Sequence, residues 1–326
     1  MRLPCQFFRL FRTVGRTVIH PASASFLFME TTLLVLAAGM GSRYGGLKQM
    51  DPVGPSGETL LDYSVYDTLK AGFSRVVFVI RRDFEEEFRE KVGRRFEDRT
   101  DVGYVFQQLN DLPEGFAVPE GREKPWGTGH AIWCARGAVD GPFLAMNADD
   151  FYGRNALSSI GEFLAAQPAE GTEYCMAGYR LETTLSPSGE VSRGVCEVAA
   201  NGLLGTVKEF TKIRRLGAEI VDEATGEKFS GNELVSLNCW GFTPAVFGGL
   251  ERLFTAFLTE RGAEEKSEFY IPNAVTELIA GGAATVRVLP VDSRWFGVTY
   301  REDRDEVVAS LSSLVAGGAY PSPLWD

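Results

Sequence analysis

LLVLAAGMGSRYGGLKQ, residues Leu33–Gln49, joins an apolar run to four glycines and two cations. Leu33 to Ala38 has the continuous apolar character of a short strand buried on both faces. A structural turn after such a strand needs one glycine or two, whereas here Gly39, Gly41, Gly45 and Gly46 are interleaved with Arg43 and Lys48. Without a Cβ, glycines let backbone N–H groups approach phosphate oxygens, and the first βα loop of a doubly wound sheet is a favoured place for phosphate. Arg43 can make paired hydrogen bonds to a phosphate, and Lys48 can act as a movable point charge. The order is neither GxxxxGK followed by Ser or Thr nor the dinucleotide fingerprint. A glycine-rich turn with solvated cations is the plainer competitor.

Working outward, strands and helices alternate. Thr59 to Lys70 places Leu61, Val65 and Leu69 at helical spacing and stops at Gly72. RVVFVI (Arg75–Ile80), GYVFQQ (Gly103–Gln108) and PFLAMN (Pro142–Asn147) read as further strands, Asp83–Arg95 as a surface helix, and a helix is expected to begin near Thr128. Such alternation implies parallel pairing with right-handed crossovers. Tyr174–Phe242 is instead strand-rich and hairpin-like, with turn signals at SPSG and EATGEKFSGNE. Helical patterning returns from Pro244, and ATVRVLPV supplies a late strand. The expected architecture is α/β: a Rossmann-like, mixed but mostly parallel sheet flanked by helices, carrying a β-rich insertion.

Composition narrows the function. The 326 residues are 44% hydrophobic and 24% charged, ordinary for a folded globular chain. A net charge of −11 argues against general nucleic-acid binding while leaving room for a small anionic ligand held by a few local cations. The five cysteines (Cys5, Cys134, Cys175, Cys196, Cys239) are odd in number and scattered, with no CxxC pair, which suits a reducing, cytoplasmic setting. No apolar stretch approaches the ~20 residues of a membrane span, so no membrane partner is expected. Residues 1–28 hold Arg2, Arg9, Arg12 and Arg16 and no acidic residue, the composition of a targeting presequence. An upstream start, with Met29 opening the protein, is the preferred account, leaving 29–326 as one domain.

Several further segments, taken in order, carry a resemblance. LAAGMGSR followed by Lys48, WGTGHA (Trp126–Ala131), NADD (Asn147–Asp150), RGVCEV with VKEF, and LNCWGF are similar to successive motifs of the nucleotidyltransferase superfamily. That superfamily includes sugar-1-phosphate nucleotidylyltransferases and the cytidylyltransferases of isoprenoid synthesis. The resemblance runs over nearly the whole chain from Thr31. It implies attack by a sugar-1-phosphate oxygen on the α-phosphorus of a nucleoside triphosphate, giving a nucleotide sugar and pyrophosphate. Leu36, Ala37, Ala38, Gly39, Gly41 and Ser42 would line the nucleotide, with Gly127 and Thr128 meeting the nucleobase. Arg43 and the loop amides would hold the outer phosphates and Lys48 would neutralise them during reaction. Asp149 would bind Mg²⁺, a hard ion commonly held by one or two carboxylates plus phosphates.

Other residues keep two readings. Gln107 and Gln108 both end a strand where the family often reads the base; Gln108 is preferred. Asp149 and Asp150 could merely cap the next segment, and Asp150 is expected to support rather than coordinate. Trp126 could stack near the base or fill the core. A lone histidine such as His130 is more often packed and hydrogen-bonded than catalytic, and this chemistry does not require it. For the acceptor, the resemblance points to Gly194, Glu209, Lys212 and Asn238, with Lys208 a solvated side chain. The clearest departure is WFGVTYRED, where Gly297 stands in place of a late metal-binding aspartate; Asp292 or Asp303 could substitute, and Asp292 is the first candidate. A cytidylyltransferase acting on a non-sugar phosphate, or a nucleotide-binding regulatory module without turnover, are the rival functions.

Overall fold

Alternate side chains of the central strands feed two different cores. In the computed structural model, which describes residues 30–39, 51–297 and 303–325, the described chain begins with strand β1 (Thr32–Leu36) and helix α1 (Leu60–Lys70). Strand β2 (Arg75–Ile80) follows, then the short helices α2 (Glu85–Phe88) and α3 (Arg94–Glu97) and strand β3 (Asp101–Phe106). Helix α4 (Thr128–Cys134) leads to strand β4 (Phe143–Asn147). β1 pairs in parallel with both β2 and β4, and β2 with β3. Leu33 and Val35 join Val76, Phe78, Ile80, Leu144 and Met146 on one face, while Leu34 joins Val77, Val79, Phe143 and Ala145 on the other. The period of two thus buries both faces of a continuously apolar run, with Leu36 at its end half-buried.

Local signals set the helix ends. α1 opens with a capping box: Asp62 N–H donates to Thr59 Oγ1 at 3.3 Å, and Thr59 N–H donates to Asp62 Oδ2 at 2.7 Å, an arrangement worth about 1 kcal/mol. It stops before Gly72, whose φ of +94° is a glycine conformation. The helix expected over Asp83–Arg95 is a broken one, with a π-helical stretch at Arg89–Gly93 between α2 and α3. A Cβ on Gly93 would coincide with the hydroxyl of Tyr104, so the glycine admits that side chain against the helix.

The second half is built differently. Strand β5 (Asp150–Phe151) and helix α5 (Arg154–Ala165) precede six strands: β6 (Glu173–Arg180), β7 (Val191–Val198), β8 (Leu204–Leu216), β9 (Glu219–Asp222), β10 (Lys228–Phe229) and β11 (Leu234–Ser236). Strand β12 (Trp240–Phe242), helices α6 (Val246–Arg261) and α7 (Ile271–Ala280), strands β13 (Thr285–Pro290) and β14 (Phe296–Gly297), and helix α8 (Asp303–Ala316) complete the described chain. Twelve strands form one sheet in the order β10-β9-β8-β7-β11-β6-β12-β4-β1-β2-β3, with β13 alongside β6. α1 and α5 cover one face; α4, α6 and α7 cover the other.

The expectation of a mostly parallel sheet needs correction. Among the described residues of this twelve-stranded sheet, four ladders are parallel (β1–β2, β1–β4, β2–β3, β6–β13) and seven are antiparallel. The cause is β12, which runs antiparallel between β4 and β6 and so joins the β-rich segment to the parallel core as one continuous sheet. Only the half made of β3-β2-β1-β4 is parallel throughout.

A third apolar cluster seats the C-terminal segment on α1 through Leu60, Tyr63, Phe151, Val307, Leu311, Tyr320 and Leu324. Beneath it the buried carboxylate of Asp67 accepts from Arg154 Nε at 2.9 Å and from the Tyr320 hydroxyl. Residues 1–28, with their presequence or upstream-start readings, lie outside the described residues. No described helix is long and apolar enough to cross a membrane. The described cysteines, Cys134, Cys175, Cys196 and Cys239, are free thiols.

Candidate functional site

The carboxyl ends of β1, β3 and β4 open into a cleft of about 1150 Å³, the position where open α/β sheets bind ligands. It gathers Leu36, Ala38 and Gly39 from the end of β1, Gly127 and Thr128 from the start of α4, Asp149 from beyond β4, and Asn238 from the β11–β12 connection. Ala37 points into the core instead, its N–H donating to the Val79 carbonyl at 2.8 Å. Gly41, Ser42, Arg43 and Lys48 lie outside the described residues.

The WGTGHA segment has strong structural reasons of its own. Gly127 has φ +103°, and a Cβ there would lie 2.7 Å from the Phe269 carbonyl oxygen. Gly129 N–H donates to that same oxygen at 2.9 Å, and Phe269 N–H donates to the Trp126 carbonyl at 2.6 Å. Thr128 Oγ1 accepts from Ile271 N–H at 3.1 Å, satisfying one orphan donor at the start of α7. Trp126 is fully buried, donates to the Leu109 carbonyl at 2.9 Å and carries the Arg122 guanidinium 3.3 Å above its ring. It fills the core.

Gln107, rather than Gln108, lines the cleft. Its Nε2 donates to the Gly127 carbonyl at 3.0 Å and meets His130 Nδ1 at 3.2 Å. Gln108 is exposed and borders a smaller adjoining cavity. His130 is completely buried, and burial lowers its pKa to about 4, so the ring is neutral near pH 7. Burial pushes the Cys134 thiol up, which makes it an inert core group.

Of the two adjacent aspartates, Asp149 faces the cleft while Asp150 is held in a polar network. Asp150 Oδ2 accepts from Asn147 Nδ2 at 2.9 Å and lies 3.2 Å from the Tyr152 hydroxyl, which also donates to the Leu237 carbonyl at 2.8 Å. Gly297 pairs with Asp150 across the β14–β5 ribbon, and a Cβ on it would lie 2.5 Å from Asp150 Oδ1. A side chain at this position would have to displace the Asp150 carboxylate from the space it occupies. Asp292 is exposed between β13 and β14 and does not border the cleft. Asp303 starts α8, buried, and accepts from Ser186 Oγ at 2.9 Å. Among the described residues no three His, Cys, Asp or Glu side chains converge as a metal cage. Mg²⁺ does not require one; a single carboxylate beside substrate phosphates and water is its usual company, and the oxygen donors at Asp149 fit that ion.

The residues expected to meet an acceptor are spread along the antiparallel half. Asn238 borders the cleft with φ +56°, the one positive-φ residue other than glycine among the described residues, a conformation asparagine tolerates better than most. Gly194 pairs with Glu209, whose Oε2 lies 3.4 Å from where a Cβ on that glycine would sit. Burial raises the Glu209 carboxyl and nearby Arg193 opposes the shift. The Arg193 guanidinium is itself buried, donating to Thr184 Oγ1 at 3.0 Å and to the Ser192 carbonyl at 2.7 Å. Lys212 is exposed on β8 away from the cleft, and Lys208 pairs with Glu227 at 3.2 Å in solvent.

Two further stretches border the cleft that motif spacing did not mark: residues 121–125 and 265–270. Arg122 ties them together, donating to the carbonyls of Glu264 at 2.8 Å and Ser267 at 2.6 Å. Lys124 pairs with Glu268 at 2.9 Å, and Glu268 accepts from the Tyr270 hydroxyl. The available signal was length, since a connection as long as residues 109–126 is seldom idle in a compact domain.

No protein-family model matches the chain, and no curated protein sequence matches it. Solved structures do. The inositol-1-phosphate CTP transferase from T. maritima superposes with a TM-score of 0.60 at 14% identity, over 89% of this chain and 98% of its own. A UDP-glucose pyrophosphorylase complexed with UDP-glucose gives 0.55 at 18% identity, over 87% and 99%. A Bacillus anthracis protein assigned by name as a glucose-1-phosphate thymidylyltransferase, in complex with a sucrose, gives 0.58 at 14% identity, over 86% and 95%. At such identities the likeness is one of fold. The chain has, over most of its length, the fold of these nucleotidyltransferase structures.

Proposed function

We propose that the protein is a nucleotidyltransferase that joins a nucleoside triphosphate to a phosphorylated small molecule, a sugar-1-phosphate, with release of pyrophosphate. The observation that carries this reading is the cleft at the ends of β1 and β4, which brings Gly39, Gly127, Thr128, Asp149 and Asn238 to one space in that fold. In the proposed reaction an acceptor phosphate oxygen forms a bond to the α-phosphorus, the bond from that phosphorus to the bridging oxygen breaks, and pyrophosphate carries away the electron pair. The acceptor phosphate is ionised near neutral pH, so no side chain has to remove a proton. The demand is to hold two anions together and stabilise the charge that develops.

Asp149 is the residue we assign to Mg²⁺, which when bound would neutralise phosphate charge. Gly39 and the loop that follows would receive the triphosphate, with Arg43 and Lys48 as its cations. Gly194, Glu209, Lys212 and Asn238 are the proposed acceptor side; of these, Asn238 has the best support because it borders the cleft.

Pyrophosphate release, measured for the common nucleoside triphosphates against a panel of sugar-1-phosphates, tests the reaction. Inositol-1-phosphate with CTP belongs in the same panel, given the likeness to the T. maritima structure. Release with a single matched pair is expected; binding of triphosphate without release would favour the regulatory module. Asp149→Asn should abolish most turnover and recover in part at high Mg²⁺, and near-normal activity of that variant at low Mg²⁺ would remove the metal assignment. Lys48→Ala should lower turnover by orders of magnitude with the fold intact.

A further inference from the structure

The side chain of Gln107 enters the cleft with its hydrogen-bonding polarity already decided. Its Nε2 faces the Gly127 carbonyl at 3.0 Å and His130 Nδ1 at 3.2 Å. On the far side of the ring, His130 Nε2 faces the Asp111 carbonyl at 2.8 Å. A backbone carbonyl can only accept, so Nε2 must carry the ring proton, and in a neutral imidazole Nδ1 is then a bare acceptor. Both N–H bonds of the Gln107 amide are consumed, one by Gly127 and one by His130. Turning the amide over would set oxygen against the Gly127 oxygen and against the Nδ1 lone pair, two repulsions in place of two bonds.

We infer that His130 is a positioning residue that locks the Gln107 amide, so that the cleft receives a hydrogen-bond acceptor at this point and no donor. The inference rests on the function proposed above and deepens it: the nucleobase edge that meets Gln107 is one that offers an N–H. A site with a locked acceptor penalises any base that brings its own acceptor there, because two lone pairs would be buried facing each other.

The ring is well placed to keep this state. It is completely buried, tilted against Phe254 at 5.0 Å and Trp133 at 5.9 Å between ring centroids. The charged and titratable groups around it are Asp111, Arg122, Arg136 and Cys134. Asp111 is engaged by Arg136 at 2.7 Å, so its carboxylate is spoken for and does not draw a second proton onto the ring. Protonation would give Nδ1 a hydrogen, set it against the Gln107 N–H and break the lock.

The chain contains two histidines, His20 and His130, so ¹⁵N-histidine NMR of the full-length protein can follow the ring directly. The expected signal is a neutral imidazole protonated at Nε2 that stays neutral at pH 5.5, assigned by its loss in His130→Phe. The Nδ1–H form, or titration near pH 6.5, would overturn the lock. His130→Phe keeps an aromatic ring in the cluster and frees the amide; its fold is checked by near-UV circular dichroism. With CTP, UTP, ATP and GTP compared, the variant should lose about tenfold of the kcat/KM preference for the best triphosphate over the next. That loss should fall on KM more than on kcat, and His130→Gln, which can restore an acceptor, should recover part of it. Unchanged selectivity in folded His130→Phe would overturn the proposal even with the expected tautomer. Failure of every triphosphate would overturn the function proposed above, and the NMR signal would still decide the lock.

Discussion

Gly127→Ala separates two explanations of one glycine. If Gly127 is glycine only to admit a nucleobase, alanine should weaken substrate binding and leave stability alone. The geometry argues otherwise. Its backbone, φ +103° and ψ −178°, lies in a region that glycine alone occupies readily, costing any other residue about 1–3 kcal/mol. The new methyl would also lie 2.7 Å from the Phe269 oxygen and 3.0 Å from its carbonyl carbon and nitrogen. Those are backbone atoms, pinned by hydrogen bonds to Trp126 and Gly129 at 2.6 and 2.9 Å. Overpacking against atoms that cannot turn aside adds about 1–3 kcal/mol. The sum, about 2–6 kcal/mol, is a large share of the roughly 5–15 kcal/mol that stabilises a typical domain. Gly72→Ala is the matched control: φ is +94° and no atom lies within 4 Å of its added Cβ, so it meets the backbone penalty alone, about 1–2 kcal/mol. Urea unfolding of both variants, at constant m-value, measures the difference. Equal losses would refute the claim that Phe269 is a rigid wall behind the site.

Lowering the pH should expose the buried histidine: the unfolded chain takes up its proton near 6.5 and the folded chain near 4, so this contribution is complete above about 6.5 and is lost as pH falls towards 4. At about 1.4 kcal/mol per pH unit the loss reaches roughly 3 kcal/mol; urea midpoints at pH 7, 6 and 5 should fall more steeply for the parent than for His130→Phe. Tyr320→Phe removes a hydrogen bond to the buried Asp67 carboxylate and should cost about 1.5–3 kcal/mol in the same assay. Arg154→Ala should cost less, since that side chain is 49% exposed and its ion pair is screened by water. Gly297→Asp should lower the melting temperature because its Cβ meets Asp150 Oδ1 at 2.5 Å, and adding Asp150→Gly should recover part of the loss, the Asn147 and Tyr152 partners being left without that carboxylate.

What a sequence shows of a fold depends on how local the cause is. β1, β2 and β4 were legible because a strand buried on both faces is apolar at every position, and α1 because its cap, its apolar spacing and Gly72 lie within one short segment. The direction of β12 was not legible. Three residues, Trp240–Phe242, run antiparallel between β4 and β6, and no property of three residues states which distant strands will flank them. The same limit explains the C-terminal segment, where Tyr320 meets Asp67 through a contact between residues 253 positions apart.

Within the site, the difficulty was one of phase rather than distance. Gln107 and Gln108 are adjacent, and pleating sends adjacent side chains to opposite sides, so a shift of one residue at the end of β3 exchanges a cleft residue for an exposed one. The strand stops at Phe106, two residues before the expected end at Gln108, and Gln107 N–H still donates to the Ile80 carbonyl at 2.9 Å. That last ladder bond holds the backbone in register for one residue more and turns Gln107, not Gln108, towards Gly127. His130 then takes the second amide proton from three residues farther along the WGTGHA segment. A histidine that resembles a packed core residue by every local measure is therefore also in contact with the side chain that faces the cleft. In the proposed lock, packing and function share the residue, because the buried imidazole nitrogen that needs a hydrogen-bond partner finds it in the amide that needs an orientation.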